Sequence, residues 1–336
     1  MRLRNGFLAF IVFILLALPL ACNNFVPNPV FPWQNPVPPP VWTPSFTPTA
    51  TASPTITVTP IFTMTCPYPA PIVIGSAGLG PGQFNGVSDI SFDNAGNLYA
   101  VDTTNKRVEV FNSGTVYSSQ WNDLNGFVAP SNIRYSATSS KIYVLDTAPN
   151  ASVGVVKPFN TSGAILPTWN VPANSRGLAL DSASNVYVGA VTMVIRYDQT
   201  GFSPVYYYNH GTNLSPFPDV QALAVDPSND LFIATGPTIQ KFGPTGSYIS
   251  EWGSAGTSTG QFFNVVYMCT DSSGYLYVAD NPLIGGLFYG RVQKFDNNGN
   301  FVCYLQIAGD ELEGLAVDVS GNLYVADTKN EHILKF

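Results

Sequence analysis

The stretch Gly-Asn-Leu-Tyr-Ala-Val-Asp at 96–102 decides the fold, because close copies of it recur along the chain. Each copy is located by its central aromatic residue, and these residues are Tyr99, Tyr143, Tyr187, Phe232, Tyr277 and Tyr324. The intervals between them are 44, 44, 45, 45 and 47 residues. Six copies at a nearly constant period predict a repeat architecture.

Each repeat divides into short strands. The copied phrase is apolar at nearly every position, which is typical of a strand covered on both faces. A strand before it ends near an acid or a serine, a strand after it ends at an aromatic residue, and most repeats add a fourth. Four strands in roughly 44 residues form one propeller blade, which buries its faces by stacking on its neighbours. The sequence predicts an all-β, six-bladed β-propeller over residues 72–336.

The repeats resemble NHL repeats. In the first repeat, the residues that carry the resemblance are Gly78–Phe84, Ile90–Asp93, Asn97–Asp102, Asn105 and Arg107–Phe111. Repeats five and six are similar, whereas Ala190 and Thr235 replace the Asp that closes the second strand in repeats three and four. The resemblance implies a six-bladed propeller. It implies little about function, because propellers of this kind serve unrelated tasks.

The two ends of the predicted propeller are expected to meet. The last repeat has three predicted strands before Phe336, and Ile72–Gly78 resembles the fourth-strand stretch Trp252–Gly256 of repeat five. We therefore expect an N-terminal strand to complete the last blade and to protect its free edge.

The N-terminus has the pattern of an export signal. Arg2 and Arg4 precede the apolar run Phe7–Leu18, which is too short to cross a bilayer, and Ala21 precedes Cys22. Residues 1–21 are thus a predicted signal peptide. The sequence Leu-Pro-Leu-Ala-Cys at 18–22 resembles a bacterial lipobox, which implies a cell-envelope lipoprotein anchored in a membrane through lipidated Cys22, with its propeller outside the cytoplasm. The alternative is a secreted protein.

Residues 22–71 are predicted to form a disordered stalk. They contain no Asp, Glu, Lys or Arg, and they hold 14 of the 28 prolines, interspersed with threonine. Such a low-complexity linker cannot build a core and favours extended polyproline conformations. The stalk is expected to hold the propeller away from the membrane.

The charge of the propeller argues against a nucleic-acid partner. Without residues 1–21, 12 Lys and Arg stand against 21 Asp and Glu, so the net charge is −9. The basic residues that precede the aromatic at the end of a third strand are spread one to a blade; they are Arg196, Lys241, Lys294 and Lys335. Neutralising phosphates requires clustered cations. We therefore predict no nucleic-acid binding.

Three cysteines remain once Cys22 is assigned to lipid. Cys269 stands at a small buried position of an innermost strand and Cys303 on an outer strand, so these two should be too far apart to pair. We expect Cys66, Cys269 and Cys303 to be free thiols rather than members of a structural disulfide.

The resemblance also implies a catalytic alternative, since six-bladed relatives include metal-dependent lyases and lactonases that bind Ca²⁺ or Zn²⁺ on the axis through carboxylates and several histidines. This chain has two histidines. The resemblance places His332 at the family's usual His or Arg position after Asn330, and it implies that His332 pairs with Asp327, as Arg107 would with Asp102. The closing aspartates are expected to cap turns; they are Asp102, Asp146, Asp280 and Asp327.

His210 lies in an aromatic loop, where it could serve as a ligand or a base. Alone, it lacks the companions of a zinc site. We predict no catalytic residue, no metal ligand and no cofactor, and Ca²⁺ on the axis is the open alternative.

The candidate binding site is the axial face formed where the chain enters the innermost strands. Residues four or five before the end of each such strand should surround the axis. They differ from blade to blade, as a specific ligand requires. With His210 added from its loop, the candidates are Asp89, Asn132, Arg176, Gln221, Tyr267 and Glu313. Loop aromatics are expected around this face; they are Phe84, Trp121, Phe127, Trp169, Tyr206–Tyr208, Phe217, Phe262 and Phe263.

The apolar loop 281–290 is expected either to fold over its own blade or to contact a partner. Taken together, the residues predict a non-catalytic binding module for a protein, a peptide or an extracellular glycan. The alternative is a metal-dependent lyase or lactonase-like hydrolase with its site on the propeller axis.

Overall fold

The six repeats fold as six four-stranded antiparallel sheets within the residues that the computed structural model describes. These are residues 65–123, 126–147, 152–211, 215–284, 287–307 and 311–336. The predicted signal peptide, Cys22 and the stalk up to residue 64 lie outside the described residues. The predicted all-β, six-bladed propeller is confirmed.

The strands are numbered in chain order, and each blade is described from its innermost strand outward. Blade one contains β4 (Val87–Phe92), β5 (Leu98–Asp102), β6 (Arg107–Phe111) and β7 (Tyr117–Trp121). Blade two contains β8 (Pro130–Ser136), β9 (Lys141–Asp146), β10 (Val153–Asn160) and β11 (Trp169–Pro172). Blade three contains β12 (Arg176–Leu180), β13 (Val186–Ala190), β14 (Met193–Tyr197) and β15 (Val205–Tyr207). Blade four contains β16 (Val220–Val225), β17 (Leu231–Thr235), β18 (Thr238–Phe242) and β19 (Tyr248–Trp252).

Blade five contains β20 (Val265–Thr270), β21 (Leu276–Asp280), β24 (Gly290–Phe295) and β25 (Phe301–Ile307). Blade six contains β26 (Leu312–Val317), β27 (Leu323–Asp327), β28 (His332–Lys335) and β1 (Ile72–Ile74). Two short pairs lie outside the blades: β2 (Ser76–Ala77) with β3 (Gln83–Phe84), and β22 (Leu283–Ile284) with β23 (Leu287–Phe288). A 3₁₀ turn covers Asn209–Gly211.

The ring closes through the N-terminal strand, as predicted. Strand β1 pairs antiparallel with β28, with Ile72 opposite Lys335. The innermost strands of neighbouring blades contact one another around the ring, and β26 contacts β4. A carboxylate adds to this closure, because Glu331 Oε2 accepts a hydrogen bond from the Gly86 backbone N–H at 2.6 Å.

The second strand of each blade is buried because its two faces pack between neighbouring blades. All five residues of β5, β13, β17, β21 and β27 are buried. Between blades four and five, for example, Phe232 packs in one apolar cluster with Val278 and Phe295. This arrangement explains why the copied phrase is apolar on consecutive positions instead of alternate ones.

The acid that ends the first strand organises the following turn. Asp93 Oδ1 accepts the backbone N–H groups of Ala95 and Asn97, both at 2.9 Å. Its Oδ2 accepts the Tyr99 hydroxyl at 3.1 Å. The equivalent Asp–Tyr contact recurs in blades three, five and six. In these four blades the marker tyrosine therefore ties this turn to the second strand.

The Asp that closes the second strand holds the loop that enters the innermost strand. Asp280 Oδ1 accepts the Asn264 backbone N–H at 2.8 Å, and its Oδ2 accepts the Arg291 guanidinium. The predicted pairs in the other blades are confirmed: Arg107 lies 2.9 Å from Asp102, and His332 lies 3.1 Å from Asp327. These buried carboxylates position the axial face of the propeller.

The cysteine prediction is wrong for two of the three residues. Cys66 and Cys303 form a disulfide with a Cα–Cα distance of 5.1 Å. The segment around Cys66 runs beside β25, where the Cys66 backbone N–H donates to the Tyr304 carbonyl at 2.8 Å. The prediction compared the two cysteines within blade five and left out a partner from the segment before the ring. Cys269 is free, as expected.

The apolar loop 281–290 forms the short antiparallel pair β22–β23 beside blade five. Its base is buried at Asn281 and Pro282, and the Tyr289 backbone N–H donates to the Pro282 carbonyl at 3.0 Å. Leu283 is exposed. Across the described ranges, no helix has the length and apolar character needed to cross a membrane.

Candidate axial binding site

A cavity of about 480 Å³ lies where the innermost strands begin. All six blades contribute to its wall. The lining residues are Ser88, Ser131, Asn132, Thr147, Asn174, Ser175, Arg176, Gly177, Gln221, Asn264, Val265, Val266, Tyr267 and Glu313. We call this cavity the axial cup.

Five of the seven predicted site residues line the axial cup together: Asn132, Arg176, Gln221, Tyr267 and Glu313. Asp89 does not line it. Its side chain is fully buried and is bonded to Tyr267 and to residues of β8. The sequence pattern thus brought five of the predicted residues to one cavity, but it did not separate wall residues from those behind them.

The floor of the axial cup is a buried cluster of Asp89, Arg134 and Tyr267. Asp89 Oδ2 accepts Arg134 Nη1 at 2.7 Å and the Ile133 backbone N–H at 2.8 Å. The Tyr267 hydroxyl donates to Asp89 Oδ1 and accepts from Arg134 Nη2. Three blades therefore meet on the axis through one hydrogen-bonded ion pair.

Sequence reasoning missed Arg134. The available signal was its position, since the other blades have small residues there; they are Ser91, Ala179, Ala224, Cys269 and Ala316. An arginine at such a position must extend into the channel, because the close contacts between innermost strands leave no other space.

Burial and ion pairing have opposite effects on the pKa values of the charged residues in the floor. Burial raises the pKa of Asp89, and the Arg134 guanidinium, the Tyr267 hydroxyl and two backbone N–H groups act in the opposite direction. Burial alone would lower the pKa of Arg134, but the Asp89 carboxylate raises it above its ordinary value. The two opposite charges are thus held against each other.

The floor separates two cavities on the axis. Tyr267 lines the axial cup, whereas Arg134 lines a second cavity of about 220 Å³ at the opposite ends of the innermost strands. Among the described residues, none lines both cavities. The cluster of Asp89, Arg134 and Tyr267 therefore lies between them.

Two residues of the axial cup wall carry polar atoms that are shielded from solvent. Gln221 Nε2 donates to Asn264 Oδ1 at 3.2 Å, which links blades four and five. Gln221 Oε1 and Thr147 Oγ1 are buried, and among the described residues neither has a hydrogen-bond partner. Buried polar atoms of this kind are uncommon and costly unless something else satisfies them.

Two charged side chains stand on opposite sides of the ring, in blades three and six. The Arg176 side chain is 64% exposed and approaches Asp219 at 3.9 Å. Part of Glu313 is exposed to the cup, yet the surrounding blades remove enough water from its carboxyl group to raise its pKa to about 7. The negative charges of Glu311 and Asp89 act in the same direction.

His210 lies outside the axial cup. It belongs to the 3₁₀ turn after β15, where its Nε2 is 2.5 Å from Glu251 Oε2 on β19. Its ring stacks edge-on with Tyr248, with the centroids 5.3 Å apart. The interpretation of His210 as part of the axial face is wrong, because its loop follows an outer strand and not an innermost one.

The expected ring of aromatic side chains is also largely absent from the surface. Phe84, Phe127, Phe217 and Phe262 are buried between blades. Tyr206 and Phe263 are each 50% exposed. Loop aromatics in this fold cover the ends of the interblade cores, so their place in a loop does not indicate exposure. Among the described residues, no group of three or more His, Cys, Asp or Glu side chains is placed to bind a metal ion.

The fold and the site define a six-bladed β-propeller with a polar cup on its axis. The NHL repeat family model matches residues 310–336, which contain the last three-stranded repeat. A human relative, NHL repeat-containing protein 3, is 27% identical over 107 residues. This match covers 28% of the present chain and 31% of the relative's own length.

Solved structures share the propeller over most of the chain. Virginiamycin B lyase from Staphylococcus aureus is similar with a TM-score of 0.55 at 10% identity, over 79% of this chain and 98% of that one. A streptogramin B lyase gives the same values, with 97% of its chain covered. Kuenenia stuttgartiensis hydrazine synthase has a TM-score of 0.53 at 13% identity, over 73% of this chain and 74% of that one. At these identities the likeness shows the fold alone.

Proposed function

We propose that the chain is an exported, lipid-anchored binding module whose axial cup holds part of a protein, peptide or glycan ligand outside the cytoplasm. The observation that carries this proposal is the cup itself. Its wall is mainly polar, and the residues that the six blades contribute to it differ from blade to blade. The volume of about 480 Å³ is in the range of small-ligand sites.

Export is supported independently by the Cys66–Cys303 disulfide. Structural disulfides persist in oxidising compartments and are rare in the cytosol. Together with the signal-peptide pattern and the uncharged stalk, the disulfide favours a propeller displayed outside the cytoplasm. Replacing Cys22 with Ala should move the protein from the membrane fraction to the soluble exported fraction, and continued membrane retention would refute the lipid anchor.

The binding proposal is tested by filling the cup. Asn264→Trp places a large ring in the wall at an exposed residue. Asn298→Trp makes the same exchange in an exposed turn of the same blade and serves as the control. Monosaccharides and dipeptides are presented to both variants and to the wild type, and binding is followed by ligand-observed NMR. At least one probe should bind the wild type and the control but not Asn264→Trp. Equal binding to all three proteins, or none to any, refutes the proposal.

The second candidate function is a lyase or lactonase-like hydrolase. Glu313, with a pKa of about 7 in a cavity, has the protonation behaviour of a general base near neutral pH. Two of the similar structures are lyases, but at 10% identity their similarity to this chain concerns the fold alone. The test is incubation with cyclic ester substrates with and without added Mg²⁺, Ca²⁺ or Zn²⁺. Ring opening that is lost in Glu313→Gln would establish the enzyme.

A further inference from the structure

Four residues that line the axial cup are exposed and can contact a ligand directly. They are Asn174 and Arg176 at the start of blade three, Asn264 at the start of blade five and Glu313 in blade six. The other lining residues are buried or half-buried, so they offer a ligand less surface. A ligand in the cup thus meets two amides and two opposite charges.

The Glu313 carboxylate is the charge in the cup that lacks a counterion. Among the described residues it belongs to no ion pair. Removal of water and the negative charges of Glu311, Asp89 and Glu331 raise its pKa to about 7. Arg134 offsets the charge of Asp89 at 2.7 Å. The blade six side of the cup is therefore negative, and a ligand that brings a cation to Glu313 would stabilise its ionised form.

The opposite side of the cup carries the positive charge of Arg176. Blades three and six face each other across a ring of six, so Arg176 and Glu313 line opposite sides of the cavity. The Arg176 side chain is 64% exposed, and Asp219 at 3.9 Å offsets part of its charge. A cation that enters the cup is therefore attracted towards blade six and repelled from blade three.

The exposed amides of the wall suit a peptide backbone. Asn174 and Asn264 each have a carbonyl oxygen that accepts hydrogen bonds and an NH₂ group that donates them. A peptide group has the same two functions. Apolar contact contributes less, because Val265 is 1% exposed and Val266 is half-buried. A polar peptide segment therefore matches this wall better than an apolar one.

A basic side chain carries its charge at the end of a flexible apolar stem. The charge can therefore reach Glu313 inside the cavity while the peptide backbone stays beside the exposed amides. An amino group on a sugar ring has no such stem. The charge and the amides of the cup together favour a basic peptide segment over an amino sugar.

We infer that the axial cup binds a basic side chain of a peptide or protein ligand, with the ammonium or guanidinium group paired with the Glu313 carboxylate. This inference rests on the proposed function, in which the axial cup is the ligand site. It selects the peptide or protein among the ligands proposed above.

The test uses the full chain in a polyoxyethylene detergent at about pH 7.5, above the pKa of Glu313. The probes are tripeptides of the form acetyl-Gly-X-Gly-amide, in which X is Lys, norleucine or Glu. Norleucine keeps the aliphatic part of Lys and lacks the ammonium group. Glucosamine represents the contrasting class, and affinities come from saturation-transfer NMR titrations at constant ionic strength.

The Lys peptide should bind more tightly than the norleucine and Glu peptides. Glu313→Gln should weaken the Lys peptide about fivefold or more, an effect between those of an exposed and a buried ion pair. The melting temperature of this variant should stay the same or rise, because the folded protein disfavours the ionised carboxylate. Glu251→Gln makes the same exchange on the outer strand β19, at an exposed residue outside the cup, and should bind as the wild type does.

The other outcomes separate this inference from the proposed function. Lys-peptide binding that is unchanged in Glu313→Gln overturns the inference. A norleucine peptide, a Glu peptide or glucosamine that binds in place of the Lys peptide and is lost in Asn264→Trp also overturns it, and leaves the proposed function standing. Failure of every probe overturns both proposals.

Discussion

Removing the Cys66–Cys303 disulfide should destabilise the propeller by about 5 kcal/mol. The two cysteines are 237 residues apart, so the bond closes nearly the whole propeller into one loop in the unfolded chain. The loop-entropy relation for this separation gives about 18 cal/mol/K, or about 5 kcal/mol at 25 °C. For a domain of this size, that loss lowers the melting temperature by roughly 10–20 °C.

The perturbation is the double variant Cys66→Ser/Cys303→Ser, which leaves no unpaired thiol at the site. The free energy of unfolding would be measured by urea denaturation with circular dichroism, on a chain beginning at residue 23 and kept oxidised. Cys269→Ser changes a thiol that has no disulfide partner and is the control. A loss below about 1 kcal/mol in the double variant would refute the reasoning, because it would show that the bond does not restrict the unfolded chain.

Three further changes test the channel and its supports. Arg134→Met should cost about 3–5 kcal/mol in the free energy of unfolding, because it leaves the Asp89 carboxylate buried without its cation. Arg134→Lys keeps a positive charge and should recover part of that loss. Equal losses in the two variants would contradict the ion-pair account. The pKa of Glu313 is raised to about 7 from 4.5, so the folded state holds this proton more tightly than the unfolded state does. Stability should therefore fall as the pH rises from about 4.5 to about 7, and Glu313→Gln should flatten that slope in melting curves; an unchanged slope would contradict the assignment. Asp280→Ala should cost about 3–5 kcal/mol by the same urea measurement, because it strands the buried Arg291 guanidinium, and a loss below about 1 kcal/mol would contradict that role.

The fold could be predicted because the same contacts recur in blade after blade. The bond between Asp93 and Tyr99 has its counterpart between Asp318 and Tyr324, at 3.1 and 3.3 Å. A residue that makes the same contact in several blades recurs in the sequence at the same position of the repeat. The period alone therefore indicated the number of blades, and the leftover strand at Ile72–Ile74 indicated how the ring closes.

Contacts that occur once could not be predicted in this way. Cys66 reaches Cys303 from a segment that belongs to no repeat, so no other blade shows the pairing. Arg134 reaches Asp89 in the neighbouring blade, and the only trace in the sequence is a large residue at a small position. Hence the cup wall was found through its position on the innermost strands, whereas its floor was not.

The departures from the repeat show why the cup wall is free to vary. Thr235 replaces the closing Asp in blade four, yet the loop that leads to Gln221 is still held. The Val220 backbone N–H donates to the Val191 carbonyl of blade three at 3.0 Å. A neighbouring blade thus supports this loop through the residue opposite Thr235, where blades two and five use the closing carboxylate to bind the two preceding residues.

In blade five the same part of the wall depends on its own carboxylate, because Asp280 binds the backbone of Asn264. The two supports meet where Gln221 donates to Asn264 across the blade boundary. Both supports act on the backbone, so they do not depend on the identity of the side chains that face the cup. Substitution at Gln221 should therefore leave the propeller folded, because a repeated scaffold that is supported through its backbone tolerates different side chains around its axis.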